Sequence, residues 1–155
     1  MKSSVKLAQQ KLFEQLEDDI DMGAGVFPVA LNTGRFLLNL RSSEVSNPLT
    51  FASWGGHIDE DDAGPEQAAL RELEEEAGYV EGIELIEAHT SVSDEFVYFN
   101  FLGLVDDEFT PELSWESEDF QWVTYSELVS LKSELHPKFR IFVAESRDLL
   151  QQFVS

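Results

Sequence analysis

Cysteine is absent from the 155 residues. That excludes disulfides, thiolate-bound metals and a cysteine nucleophile, and it fits a reducing compartment. No apolar run reaches the roughly 20 residues that cross a bilayer. The opening stretch, MKSSVKLAQQKLFEQLEDDID, interrupts its apolar positions with polar ones every few residues, unlike a secretion signal. A soluble cytoplasmic protein with no membrane partner is the expectation. Basic side chains are scarce: 10 Lys and Arg stand against 31 Asp and Glu, a formal net charge of -21. Such a surface repels polyanions, so no long nucleic acid is expected as a partner. It repels phosphorylated small molecules as well, unless bound cations reverse the local sign. Over most of the surface the charge serves solubility. Internal repeats and low-complexity tracts are missing too.

What is present can build a core. Hydrophobic residues make up 43% of the chain, with 12 Phe and 3 Trp, and the length suits one domain burying about two thirds of the surface its unfolded form exposes. Residues 1–155 are therefore expected to form a single unit, with 1–22 as an N-terminal helical extension. In residues 3–21, Val5, Leu12, Phe13, Leu16 and Ile20 fall near one stripe; Ser3 or Ser4 can cap the start, and Gly23 and Gly25 are expected to end the helix. The stripe is expected to pack on its own domain, with a homodimer as the other use for it. Val26–Leu31 and Arg35–Arg41 read as strands of a hairpin about Asn32, Thr33 and Gly34. Pro28 cannot donate to a ladder, which predicts an edge or a bulge there. Residues 51–54 lead into a glycine pair, and a helix is expected over 65–77. Strands follow at 83–92 and 96–105, the second so apolar that both faces should be covered. After an acidic loop come a short strand at 120–124, a helix over 127–132 capped by Ser126, and a last helix from Pro137 to about Phe153. Strands mixed with helices in this order predict an α/β arrangement of α+β type, a sheet between helices.

The chemistry concentrates in Gly55–Tyr79, GGHIDEDDAGPEQAALRELEEEAGY. On a helix, Glu72, Glu75 and Glu76 at i, i+3 and i+4 share a face about 100° wide. Leu70, Leu73 and Ala77 lie on another face that can dock on the sheet, Ala68 and Ala69 leave room beside the carboxylates, and Glu74 points to solvent. Three like charges so close repel one another, and a divalent cation removes the repulsion. Mg²⁺ suits carboxylate and water oxygens together with substrate phosphates. Arg71, one turn before Glu75, can orient a carboxylate. Gly55 and Gly56 let the backbone approach, so that a carbonyl can join the ligands. The plainer reading of RELEEE alone is a solvated, charged helix. An EF-hand loop started by Asp59, Asp61 and Gly64 fails at Ala63 and at Leu70, where oxygen ligands are required.

Gly56–Tyr79 resembles the Nudix box, G-x5-E-x7-R-E-U-x-E-E-x-G-U, in Arg71, Glu72, Leu73, Glu75, Glu76, Gly78 and the aromatic Tyr79. The first half departs. Counting back from Arg71 puts Ala63 at the box's first glutamate and His57 at its glycine, so the loop is one residue longer, and Glu60, Asp61 or Asp62 stands in for the acid. Residues 25–41 resemble the family's opening hairpin, FASWGG resembles its strand into Pro-Gly-Gly with Trp54 in place of proline, and EDFQWV resembles its late strand. Glu116, six residues before Trp122, lies where several members supply a further carboxylate.

The resemblance implies a Nudix-like α/β/α sandwich with a mixed sheet, and a Mg²⁺-dependent (or Mn²⁺-dependent) hydrolase that splits a nucleoside diphosphate linked to another group. The implied metal ligands are Glu72, Glu75, Glu76, Glu116 and a carbonyl of Gly55 or Gly56. Glu72, Glu75 and Glu116 form the implied catalytic set, with Glu72 or Glu116 as the base. Arg41 can contact phosphate, and Trp54, Phe96, Tyr98 and Trp115 can stack on a base. His89 and His136 carry no catalytic role. Lack of a proline between Val80 and Thr110, together with Phe96 and Tyr98, leans toward a dinucleoside polyphosphate over ADP-ribose or a nucleotide sugar. Two other readings stand beside hydrolysis: a Nudix-like domain that senses a nucleotide without turning it over, and an acidic protein-interaction module.

Overall fold

The computed structural model describes residues 2–16, 20–79 and 81–154, the first six of them as backbone only. Strand β1 (Asp21–Ala30) runs at its centre and turns through residues 31–34 into β2 (Arg35–Arg41). Gly34 supplies the left-handed residue of that turn, at φ 74°. Strands β3 (Phe51–Ala52) and β4 (Trp54–His57) precede helix α2 (Pro65–Ala77); β5 (Glu84–Val92), β6 (Phe96–Val105) and β7 (Ser117–Val123) follow. β1 pairs in parallel with β6 along its whole length, from Asp21 opposite Phe96 to Ala30 opposite Val105. Its other edge is shared: β4 pairs with residues 23–26 and β2 with residues 29 and 30. β5 flanks β6, and β2 also carries β3 and β7, all antiparallel.

Two cores lie on opposite faces of this mixed sheet. On one, Ala68, Ala69, Leu73 and Ala77 of α2 pack on Ala24, Val26, Val97, Phe99 and Phe101. On the other, Phe27, Phe36 and Leu102 meet α3 (Tyr125–Ser130), α4 (Pro137–Glu145) and α5 (Arg147–Gln151) through Leu128, Phe139, Phe142 and Leu150. Phe27 contacts Phe36 at 5.1 Å and Phe139 at 5.0 Å between ring centroids. The expected α/β/α sandwich is thus present. The extra helix α1 (Lys2–Gln15) is present too, and it packs at home: Leu12 and Phe13 join the α2-side core, as do Leu16 and Ile20 beyond its end, while Gln9 Nε2 donates to Thr90 Oγ1 at 3.0 Å. The expected roles of Ser3, Ser4 and Val5 rest on side chains outside those described. Among the described residues, no helix is long and apolar enough to cross a membrane.

Several boundaries differ from expectation for local reasons. Helix α1 stops at Gln15, and Gly23 and Gly25 sit inside β1. Pro28 lies within the central strand rather than on an edge, in the gap where the neighbour changes from β4 to β2, so a missing donor costs no ladder bond on that side. β7 begins at Ser117. The expected long final helix is broken at Ser146 into α4 and α5. The cap of α3 is Thr124, not Ser126: Thr124 Oγ1 accepts from Glu127 N at 3.1 Å, and Glu127 Oε1 accepts from Thr124 N at 2.8 Å. Substituting Thr124 with alanine removes one half of this capping box, and a loss of about 1 kcal/mol in urea unfolding is expected. An unchanged unfolding midpoint would show that the cap contributes nothing.

Candidate active site

Pro65 starts α2 at the position where its missing N–H is harmless, and Gly78 ends it at φ 69°, with its N–H bonded to Glu74 O. One turn apart on this helix, Glu72 and Glu76 face the sheet edge beside β4. Glu76 is only 4% exposed, and the Glu72 carboxylate lies against Gly56, where a Cβ would come within 2.7 Å of it. The two carboxyls are hydrogen-bonded to each other. Burial pushes the Glu76 carboxyl well above the ordinary carboxylate range, the charges of Glu72 and Glu116 add to that, and Arg41 opposes it. Burial raises Glu72 as well, against the bond from Glu76 and the charge of Arg71. Glu72 and Glu76 thus titrate as a pair, both carboxyls raised by burial.

Glu75 does not join them. Its side chain is 56% exposed and turns to Arg71 Nη1 at 3.1 Å. The side chain of Glu116 is exposed, and its carbonyl accepts from Ser42 N at 2.9 Å at the end of β2. The loop bearing it is fastened to α2: Glu112 N donates to Ala77 O, and Phe109 stacks on Tyr79 at 3.9 Å while its carbonyl accepts from Trp122 Nε1. Among the described residues, no three acids or imidazoles are gathered closely enough to hold a metal ion as they stand. The convergence of Glu72, Glu75, Glu76 and Glu116 read from the sequence is present as a preassembled pair, Glu72–Glu76, with Glu116 near enough to repel Glu76 and Glu75 held apart by Arg71. The donors available are all oxygen. A half-buried Glu72 and a buried Glu76 set against the bare backbone of Gly56 suit a hard divalent ion such as Mg²⁺ or Mn²⁺.

The departure in the loop resolves at Asp62. Its carboxylate grips Arg71 twice, Nε to Oδ1 at 3.0 Å and Nη2 to Oδ2 at 2.9 Å, and accepts from Asp59 N at 2.8 Å. Arg71 also donates to the His57 carbonyl at 3.0 Å and to Glu72 and Glu75. The Arg71 guanidinium holds the Asp62 carboxyl below the usual range, and Asp62 in turn holds the guanidinium above its own. Of the three acids open to the role, Asp62 takes it. The register is Gly56-x5-Asp62-x8-Arg71, with the extra residue between acid and arginine.

Beside the carboxylates, on the α4 side of the sheet, Tyr98 lies across Gly23, Gly25 and Gly55, in space that side chains would fill; a Cβ on Gly23 would meet the ring at 2.7 Å. Burial raises the Tyr98 phenol, and so do the charges of Glu76 and Glu72. Phe96 stacks on Tyr98 at 6.1 Å, with the edge of His57 toward it and Lys138 Nζ 4.7 Å from its centroid. Phe96 and Tyr98 therefore form a shelf leading away from the carboxylates. Trp54 does not belong to it. Fully buried, with Nε1 donating to Leu37 O at 3.2 Å, it fills the core under β4 and cannot stack on a base. Arg41 donates from Nε and Nη2 to the Ser46 carbonyl at 2.9 and 2.7 Å. His136 caps α4, accepting from Lys138 N at 3.1 Å, and Asn47 meets its Nε2 at 3.2 Å. His89 packs near Phe142 and Ser91, as a structural histidine would. Lys138 was not legible as a site residue: it follows Pro137 on a helix whose placement over Phe96 depends on the tertiary fold.

The model of the NUDIX domain matches residues 20–145. Similar solved structures include a Nudix hydrolase of M. smegmatis, RenU, at TM-score 0.69 and 21% identity, covering 86% of each chain. A C. elegans Ap4A hydrolase in a binary complex follows at TM-score 0.65 and 18% identity, covering 86% of this chain and 99% of that one. The NUDIX domain of Shewanella oneidensis NrtR complexed with ADP ribose superposes at TM-score 0.66 and 19% identity, covering 97% and 99%. No curated protein matches the sequence.

Proposed function

This chain belongs to the Nudix family, whose domain spans residues 20–145, and on that premise we propose that it hydrolyses the pyrophosphate linkage of a nucleoside diphosphate derivative in a divalent-metal-dependent reaction. The observation that carries the proposal is the Glu72–Glu76 pair, buried against Gly56 and faced by Glu116. In a chain of net charge -21, a cluster of carboxylates attracts a phosphorylated substrate only with cations between them. Mg²⁺ or Mn²⁺, when bound, supplies charge for the phosphate oxygens. Glu72 and Glu76 would hold it, with the Gly55 or Gly56 carbonyl beside them, and Glu75 could join by leaving Arg71. Glu116, exposed at the open side of the cluster, takes the proton of the attacking water. Glu72, engaged by Arg71 and Glu76, has fewer free lone pairs for that task. Arg71, fixed by Asp62, holds Glu72 in place. The shelf of Tyr98 and Phe96 receives the nucleoside.

Two features support the substrate class. Similar folds include an Ap4A hydrolase and a NUDIX domain holding ADP ribose, and the shelf offers aromatic faces for a base. The test is phosphate and nucleotide release from a panel of diadenosine polyphosphates, ADP-ribose, nucleotide sugars and nucleoside triphosphates, with Mg²⁺ and with chelator. Metal-dependent release from at least one diphosphate-linked nucleotide, lost in Glu72→Gln, is the expected result. Tight binding of ADP-ribose or a diadenosine polyphosphate with no turnover would replace the hydrolase by a nucleotide sensor.

A further inference from the structure

Helix α1 precedes residues 20–145, those matched to the family, and yet it reaches the altered loop of the box. Its docking begins at Gln9. That side chain is only 3% exposed and donates to Thr90 of β5, while Leu12 and Phe13 enter the core beside α2. Gln10, the next residue, meets the turn that joins Asp62 to Pro65. The turn consists of Ala63 and Gly64. Gln10 Nε2 donates to the Ala63 carbonyl in a long bond of 3.5 Å, and its Oε1 occupies the space that a Cβ on Gly64 would take. Gly64 is extended, at φ 172°, so its missing side chain makes room for Gln10 and meets no conformational demand. Ala63 is thus held from both sides, its N–H donating to Gln67 of α2 and its carbonyl accepting from Gln10 of α1. Around this bridge remains an open groove of about 410 Å³ bounded by Glu66, Gln67 and Leu70, so close packing does not duplicate it. What the turn controls is Asp62. The loop is one residue longer than the box between that acid and Arg71, and a longer turn of small residues has more conformations to lose. Every other path of the turn moves Asp62, and with it Arg71, which donates to Glu72 at 3.2 Å and to the His57 carbonyl at 3.0 Å.

We propose that α1 is a positioning element of the active site, in which Gln10 seats the Ala63–Gly64 turn and so fixes the Asp62–Arg71 clamp on Glu72. Gln10 is a positioning residue: it acts on Glu72 through Ala63, Asp62 and Arg71 in turn. The added loop residue and the helix ahead of the family's domain are then two parts of one device. The inference rests on the hydrolase reading for its effect on turnover, and on the contacts alone for its effect on the loop.

Gln10→Glu keeps the size of the side chain and sets an acceptor in place of its donor before the Ala63 carbonyl. Amide hydrogen exchange followed by NMR reads the loop directly, since the Asp59 N–H is bonded to Asp62 Oδ2 at 2.8 Å. In the variant the Asp59 amide is expected to exchange about 5-fold faster, the value of one neutral hydrogen bond, with the amides of β1 and β6 unchanged. In hydrolysis of the preferred nucleotide with Mg²⁺, kcat is expected to fall about 5-fold at unchanged KM, because the placement of Glu72 changes and the nucleoside shelf does not. Gly64→Ala crowds the amide out from the loop side, with α1 itself unaltered, and is expected to repeat both changes. Asp59 exchange as in wild type in both variants overturns the inference. Faster exchange with kcat and KM as in wild type overturns it too, since Gln10 is then a structural contact only. Should the wild-type chain hydrolyse none of the nucleotides, the hydrolase reading falls and the exchange comparison still decides whether Gln10 seats the loop.

Discussion

Gly56→Ala is expected to lower turnover about 100-fold or more without unfolding the protein, the scale of loss that a misplacement of about 1 Å causes at reacting groups. A Cβ at residue 56 would stand within 2.7 Å of the Glu72 carboxylate. Gly56 has no left-handed backbone to protect, so the change acts through the space it fills. Glu72 must rotate away, and in doing so it gives up either the bond from Glu76 or that from Arg71 Nη1. Hydrolysis of the preferred substrate over a Mg²⁺ titration, beside a thermal melt, measures the effect. Turnover within twofold of wild type, at unchanged melting temperature, would remove Glu72 from the centre of the site.

The second large effect concerns stability and pH together. Asp62→Ala strips Arg71 of two charge-assisted hydrogen bonds and frees the Asp59 N–H, and a loss of about 2–3 kcal/mol is expected, the scale of hydrogen bonds to charged groups at a buried carboxylate. The sign of its pH dependence is fixed by the Asp62 carboxyl, which Arg71 holds below its ordinary value. A depressed carboxyl stabilises the fold fully above its unfolded value, near 3.9, and that share disappears as pH falls through the lower folded value. The difference in unfolding free energy between wild type and variant should therefore be constant from neutral pH down to about 5 and shrink at more acid pH. Asp62→Glu, which restores the family's residue type, should recover part of it. A difference that grows on acidification would contradict the assignment of Asp62 as the partner of Arg71.

How far the sequence reveals this protein varies with the kind of information each residue carries. The second half of the box was legible because a helix converts spacing into a face: Glu72 and Glu76 are where one turn puts them, and Leu73 and Ala77 are buried as expected. Glu75 is held by the guanidinium one turn back, as its spacing from Arg71 indicated, and so stands apart from the Glu72–Glu76 pair. Asp62 was one of three acids, and only the path of the loop selects among them. Trp54 occupies the place of a proline in the motif, but burial of an indole with its N–H satisfied by Leu37 decides its role, and composition alone cannot show this. Gly23 and Gly25 resemble helix terminators and are strand residues flattened to seat Tyr98, a partner 75 positions on from Gly23 in the parallel ladder. Lys138 was silent for the same reason: its partner Phe96 belongs to another layer of the fold.

The parallel pairing of β1 with β6 has a consequence for biosynthesis. Asp21 lies opposite Phe96 and Ala30 opposite Val105, so a nascent chain cannot close its central ladder until β6 has left the ribosome. Until then Gly23 and Gly25 have no Tyr98 to cover them, and β1, with its run of buried apolar residues, waits as an open edge. The cost of this topology therefore falls on synthesis, when the β1 edge is bare, and not on the completed fold, in which β6 covers it from end to end.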